Sequence, residues 1–265
     1  MKAAIAILSS TVISVWVIGL IPLDELHIHG PWLAICYRSL QTTFSIAMMR
    51  FFCPKSLWRL SFKVKRAALP GLILLAVFLS ASNVFQIPWS NTSFYTIWMG
   101  ALFTLFIGID EEVYSRGLIF GVLEKYGPWI AILGSSLDFG LLHITNYFYG
   151  GQNLDVTVSQ MIGAASFGFM SAGLMLYSRS IWPSIILHGL SDFQMTQETA
   201  EVYAKSLTAS PDWLGTGVET LMNVSIGLLL IVASGTLQKL KLNQTFVRHT
   251  KPIAEYLGLV TSDQT

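Results

Sequence analysis

Residues 94–122 read FYTIWMGALFTLFIGIDEEVYSRGLIFGV, an apolar run of 29 positions broken by Asp110-Glu111-Glu112 and Arg116. About 20 apolar residues in a helix cross the roughly 30 Å hydrocarbon core of a bilayer, so this run is long enough to span. Charges inside a spanning helix cost about 2.5–3.5 kcal/mol each on insertion scales, and those that persist face the protein interior and mark function. The stretch therefore reads at once as a membrane helix and as the carrier of a polar site.

The rest of the chain has the same character. Of 265 residues, 53% are hydrophobic and only 12% charged, against about 25% charged in soluble domains. Mean hydropathy is +0.58. A soluble chain of this size cannot hide that much apolar surface, which leaves an all-α polytopic transmembrane bundle. A net charge of +1 gives no case for nucleic-acid binding. The cysteines, Cys36 and Cys53, form neither a disulfide framework nor a zinc pattern.

Other apolar runs lie at about 3–23, 31–52, 70–88, 128–148, 156–178, 181–197 and 215–238, giving about eight helices with 94–122. Residues 53–69, CPKSLWRLSFKVKRAAL, are basic and amphipathic and read as a helix lying on anionic headgroups. With the N-terminus inside, cytoplasmic segments hold 13 of the 16 Lys and Arg residues and outside segments hold only Lys205. This bias predicts that both termini are cytoplasmic. The remaining two, Arg38 and Arg116, lie within spans, and Arg38 is read as snorkelling toward the interface. Residues 163–173, GAASFGFMSAG, predict close helix packing. The chain divides into an N-terminal membrane region over 1–91, a core over 92–197, and a last helix with a polar tail over 198–265.

Three polar clusters interrupt the spans: Asp110-Glu111-Glu112 with Arg116, Asp138-Phe139 with His143, and His188 with Asp192. Glu112 and Arg116 are four apart, share a helix face and can pair. Glu111 points about 100° away and is read as free for other work. His188 and Asp192 are likewise one turn apart, and Phe139 can pack on the His143 ring. Asp138 is assigned a structural or solvated role. At 1.5 Å per residue, Glu111, His143, His188 and Asp192 sit about 20, 22, 10 and 16 Å from the cytoplasmic helix ends. They can meet in one cavity, expected to open toward the cytoplasm.

Such a set suits water activation. A glutamate can take the proton while a histidine orients the water. The other histidine, with Asp192, can face the oxyanion of a tetrahedral intermediate. Glu111, His143 and His188 could instead hold zinc with one water position open. Sequence leaves both mechanisms open. Neither Gly-x-Ser-x-Gly nor His-Glu-x-x-His occurs, which removes the serine-elbow and common zincin classes.

The blocks Glu111-Glu112-Val-Tyr-Ser-Arg116, Phe139-Gly-Leu-Leu-His143 and His188-Gly-Leu-Ser-Asp192 resemble the motifs of the CPBP family of intramembrane proteases. That family includes the CAAX prenyl endopeptidases and the bacteriocin-processing and self-immunity proteins once called Abi. The resemblance implies that Glu111 activates water, His143 assists, and His188 and Asp192 stabilise the oxyanion. Glu112 and Arg116 would be an orienting pair. The prenyl branch usually carries Asn where this chain has Asp192. An ionised Asp cannot donate to an oxyanion, so Asp192 is protonated, orients His188 or binds a metal.

The expected protein is thus a multi-pass intramembrane endopeptidase, in the plasma (inner) membrane if the source is bacterial. Its substrate would be a membrane-embedded or lipidated peptide, its surroundings the lipid bilayer, its possible cofactor zinc. The alternative is a non-catalytic scaffold or self-immunity protein. Glu111→Gln separates the two.

Overall fold

The computed structural model describes residues 31–65, 69, 72, 93–193 and 205–235 of the chain. Every regular element among them is helical. Helix α1 is Pro31–Phe52 and leads into a 3₁₀ turn, Pro54–Leu60. Helix α2 runs from Phe94 to Tyr126. Helices α3, Pro128–Leu142, and α4, Leu154–Ser178, follow. Then come α5, Trp182–Phe193, and α6, Trp213–Ala233.

Start signals are local. Ser93, Asn153 and Asp212 each accept a hydrogen bond from a backbone N–H three residues on, capping α2, α4 and α6. Helices α2, α4 and α6 are long and apolar enough to cross a membrane. Large apolar side chains such as Leu137, Leu141, Leu221 and Leu229 stay exposed on the bundle surface. Water would penalise that surface and lipid does not, so the protein is an integral membrane protein. The expected spans at 3–23 and, apart from Leu72, 70–88 lie outside the described residues, as does the polar tail. The reading of eight spans and two cytoplasmic termini rests on the sequence alone.

The core forms around the middle and end of α2. Leu118, Ile119 and Phe120 are fully buried with Met49 of α1, Ile132 of α3, Met175 of α4 and Ile185 of α5. The small-residue run does what its composition predicts. A Cβ on Gly173 would lie 2.7 Å from the carbonyl oxygen of Gly227, so α4 and α6 touch backbone to backbone. Without a hydrophobic drive between helices in lipid, such close packing supplies the attraction.

Two expectations change. Residues 53–69 are not one surface helix. Pro54 opens a 3₁₀ turn, after which the backbone accepts and donates across the loop joining α4 to α5. The Arg59 carbonyl accepts from the Ile181 N–H at 3.1 Å, the Leu60 carbonyl from Trp182 Nε1 at 3.1 Å, and the Lys65 N–H donates to the Ser178 carbonyl at 2.9 Å. Arg59 is buried against Glu124. The segment closes the basic end of the bundle, because its unpaired backbone finds partners there that a surface helix would not need. The span expected over 128–148 also ends early, at Leu142, with only one further helical turn over Thr145–Phe148.

Candidate active site

Helix α2 changes geometry where its charges lie. Phe94–Glu112 is α-helical, Val113–Ile119 is π-helical, and Phe120 donates its N–H to the Ser115 carbonyl five residues back. A π stretch fits an extra residue into the turn, so consecutive side chains can point inward where a regular helix would turn them to lipid. All seven residues of the π stretch are buried. Glu112 and Arg116 are both wholly buried, with Arg116 Nε 3.2 Å from Glu112 Oε2. The Arg116 guanidinium also sits 4.6 Å over the Phe139 ring. Asp138 accepts a hydrogen bond from Tyr114.

Close approach of α2 and α5 brings the first and third clusters together. A Cβ on Gly108 would lie 2.6 Å from the Ile185 carbonyl oxygen, and one on Gly189 3.2 Å from that of Thr104. Only glycines allow this spacing, and it carries His188 to the glutamates. His188 Nδ1 lies 3.2 Å from Glu112 Oε1. The carboxylate can only accept, so Nδ1 donates. Nε2 stands 3.6 Å from Glu111 Oε2 and 3.5 Å from Asp192 Oδ2. Ordinary N–H···O distances are about 2.7–3.2 Å. Neither carboxylate therefore holds Nε2 closely, and it remains available to a third group. The ring is walled by Phe139 and Phe167, with centroids 5.7 and 5.1 Å away.

His143 is placed by a helix end. It caps α3, where carbonyls lose their helical partners. Its Nδ1 lies 2.9 Å from the Phe139 carbonyl oxygen, which can only accept. Nδ1 therefore donates, and the tautomer that fits this contact has its lone pair on Nε2. The Phe139 ring packs edge-on at 5.1 Å.

A cavity of about 700 Å³ is lined by Glu111, His143, His188, Asp192 and Phe139 together with Arg38 and Asp110. Glu112 and Arg116 lie behind that wall. The cavity continues to Asn146, Gln152, Ser206 and Leu207. These residues lie at the end of the bundle opposite Arg59 and Glu124.

Arg38 departs most from its sequence-based expectation. It does not snorkel. Its Nη1 donates to Asp110 Oδ2 at 2.9 Å and to Glu111 Oε1 at 3.2 Å. Glu111 is accordingly held, not free, with Oε1 on Arg38 and Oε2 toward His188. Sequence reasoning assigns neither Asp110 nor Arg38 to the site. The signal that could have found them is a lone Arg within a span, which needs a partner at its own depth. Among the described residues no three His, Cys, Asp or Glu side chains are placed to hold a metal ion. The steps below are derived from the side chains themselves, and none passes through a metal.

Spanning helices around a cavity of carboxylates and histidines define an integral membrane protein with an enzyme-like polar centre. Residues 91–194 match the family model for Rce1-like proteins, described as type II CAAX prenyl endopeptidase. That segment holds all three motif blocks, and over it the chain is similar to the type II CAAX prenyl endopeptidases. No curated protein and no solved structure matches the chain.

Proposed function

We propose that the protein is an intramembrane endopeptidase that cleaves a membrane-associated peptide with water activated by Glu111. The observation carrying this reading is the setting of Glu111 on the cavity wall. One carboxylate oxygen is held by Arg38, and the other faces the cavity beside His188 Nε2.

Each group has a chemical task. Water in the cavity hydrogen-bonds to Glu111 Oε2 and to the His143 Nε2 lone pair. Glu111 takes its proton as the new C–O bond forms at the peptide carbonyl. The developing oxyanion meets the His188 Nε2–H, which no carboxylate holds within normal hydrogen-bond range. The C–N bond then breaks, and Glu111 returns the proton to the leaving amine. Glu112 accepts from Nδ1 and directs the ring from behind, and His188 meets the oxyanion in its doubly protonated form, with the second proton on Nε2. Asp192, one turn on at 3.5 Å, serves as an orienting acceptor for that ring, which accounts for its departure from Asn without asking it to donate.

Purified in detergent, Glu111→Gln should lose at least about 100-fold in cleavage of a quenched peptide panel, prenylated peptides included. The thermal unfolding midpoint should stay within a few degrees of wild type. Zinc content is measured on the same samples. Full cleavage by Glu111→Gln would sink the glutamate mechanism, and stoichiometric zinc lost with His143→Ala would replace it with a metal one.

A further inference from the structure

We propose that the basic end of the bundle binds the phosphate of an anionic phospholipid at Arg179, Lys63 and Lys65, beside the Trp58 ring. The inference does not rest on the protease reading, since none of these residues lines the cavity.

Hydrogen bonds between two segments far apart in the chain place these residues together. The Lys65 N–H donates to the Ser178 carbonyl at 2.9 Å, and the Ser180 hydroxyl donates to the Ser61 carbonyl at 2.8 Å. These bonds lay residues 61–65 alongside Arg179, which follows the last turn of α4. The Arg179 guanidinium carbon lies 5.1 Å from the centre of the Trp58 ring. Arg179 occupies the left-handed region, with φ 64° and ψ 29°, where helix ends favour glycine. Arg179, Lys63, Lys65, Trp58 and Phe62 are all exposed.

Charge then selects the ligand. Residues 50–65, 120–130 and 178–182 meet at this end and carry seven Lys and Arg side chains but one carboxylate, Glu124. That carboxylate is taken by Arg59. Arg59 also lies 5.1 Å from the Trp58 centre, so two guanidinium groups crowd one indole. Among the described residues no ion pair reaches Arg179, Lys63 or Lys65. A guanidinium fork joined by ammonium point charges suits phosphate. The aromatic rings fix its source. Trp rings settle at the headgroup level of a bilayer, and exposed Phe62 stacks at 4.2 Å on Trp182 beside the same loop. A phosphate carried on a glycerol with acyl chains meets both the cations and these rings, whereas free phosphate meets the cations alone.

Native mass spectrometry of the delipidated full chain in neutral detergent, titrated with phosphatidylglycerol, tests the site. Wild type should bind phosphatidylglycerol at least about fivefold more tightly than phosphatidylcholine, the scale of one cation's attraction to an anionic surface. Arg179→Gly removes the charge and suits the backbone, so its unfolding midpoint should not fall and lost binding cannot come from unfolding. Arg179→Gly and Lys65→Gln should each weaken binding about fivefold, and Arg179→Lys should keep most of it. Two further variants remove the same charge elsewhere: Lys125→Gln, whose ammonium lies over Tyr126 at the same end, and Lys205→Gln, next to the loop where Asn153 meets Leu207. Both should bind the lipid nearly as well as wild type. Equal losses in all four charge-removing variants would mean a diffuse surface field and overturn the site, as would equal affinity for phosphatidylcholine. A large excess of inorganic phosphate should leave the lipid bound. Full displacement by it would make this a free-anion site and overturn the lipid assignment.

Discussion

Arg38 shows how one side chain can set the geometry of a reacting group. Its guanidinium bridges Asp110 and Glu111 from another helix, with both bonds leaving Nη1, and the planar group is more rigidly oriented than a lysine ammonium. Arg38→Ala should therefore lower kcat about 10- to 100-fold, the scale of loss when a reacting group loses its orientation. KM and the unfolding midpoint should change little, and Arg38→Lys should restore only part of the rate. Equal damage to KM and to thermal stability would make Arg38 merely structural. Glu111, Glu112, Arg116, His143, His188 and Asp192 are all visible in residue order, because an ionisable group inside an apolar run stands out. Arg38 stands out for the same reason. Its pairing with Asp110 does not, because 72 residues separate the two and no short-range pattern joins them.

At the scale of the element, glycine spacing decides which helices meet. Gly173 allows the α4 and α6 backbones to touch, with a Cβ there reaching 2.7 Å from the Gly227 carbonyl oxygen. Backbone cannot move aside as a flexible side chain can. Gly173→Leu should cost about 1–3 kcal/mol, the usual penalty for overpacking. A drop in unfolding midpoint with Glu111 chemistry intact at low temperature is the expected outcome, and an unchanged midpoint would refute the packing role. The run of small residues at 163–173 is by itself enough to predict a closely packed helix. It does not name the partner, since several helices could meet that face. The π stretch at Val113–Ile119 leaves no mark in residue order. Its sequence is ordinary, and all seven of its residues, Tyr114, Ser115 and Arg116 among them, are buried.

On the scale of the molecule, one end of the bundle is tied together by Arg59, Glu124 and the backbone bonds around them. Burial lowers the affinity of the Arg59 guanidinium for its proton, and Glu124 opposes that effect. Glu124 is 38% exposed, so losing it costs less than the roughly 3–5 kcal/mol of breaking a fully buried pair. Glu124→Ala should lower stability by about 1–3 kcal/mol and raise protease sensitivity between residues 53 and 65. Stability equal to wild type would show that the backbone bonds from Arg59, Leu60 and Lys65 close this end unaided. Residue order alone establishes a helical membrane protein with three polar blocks inside its spans, because apolar length and the cost of buried charge are local properties. Which charges pair and how α5 sits against α2 are decided only by tertiary packing. Those depend on distances between helices far apart in sequence, and on a helix that stops at Leu142 where its apolar pattern alone would have carried it on.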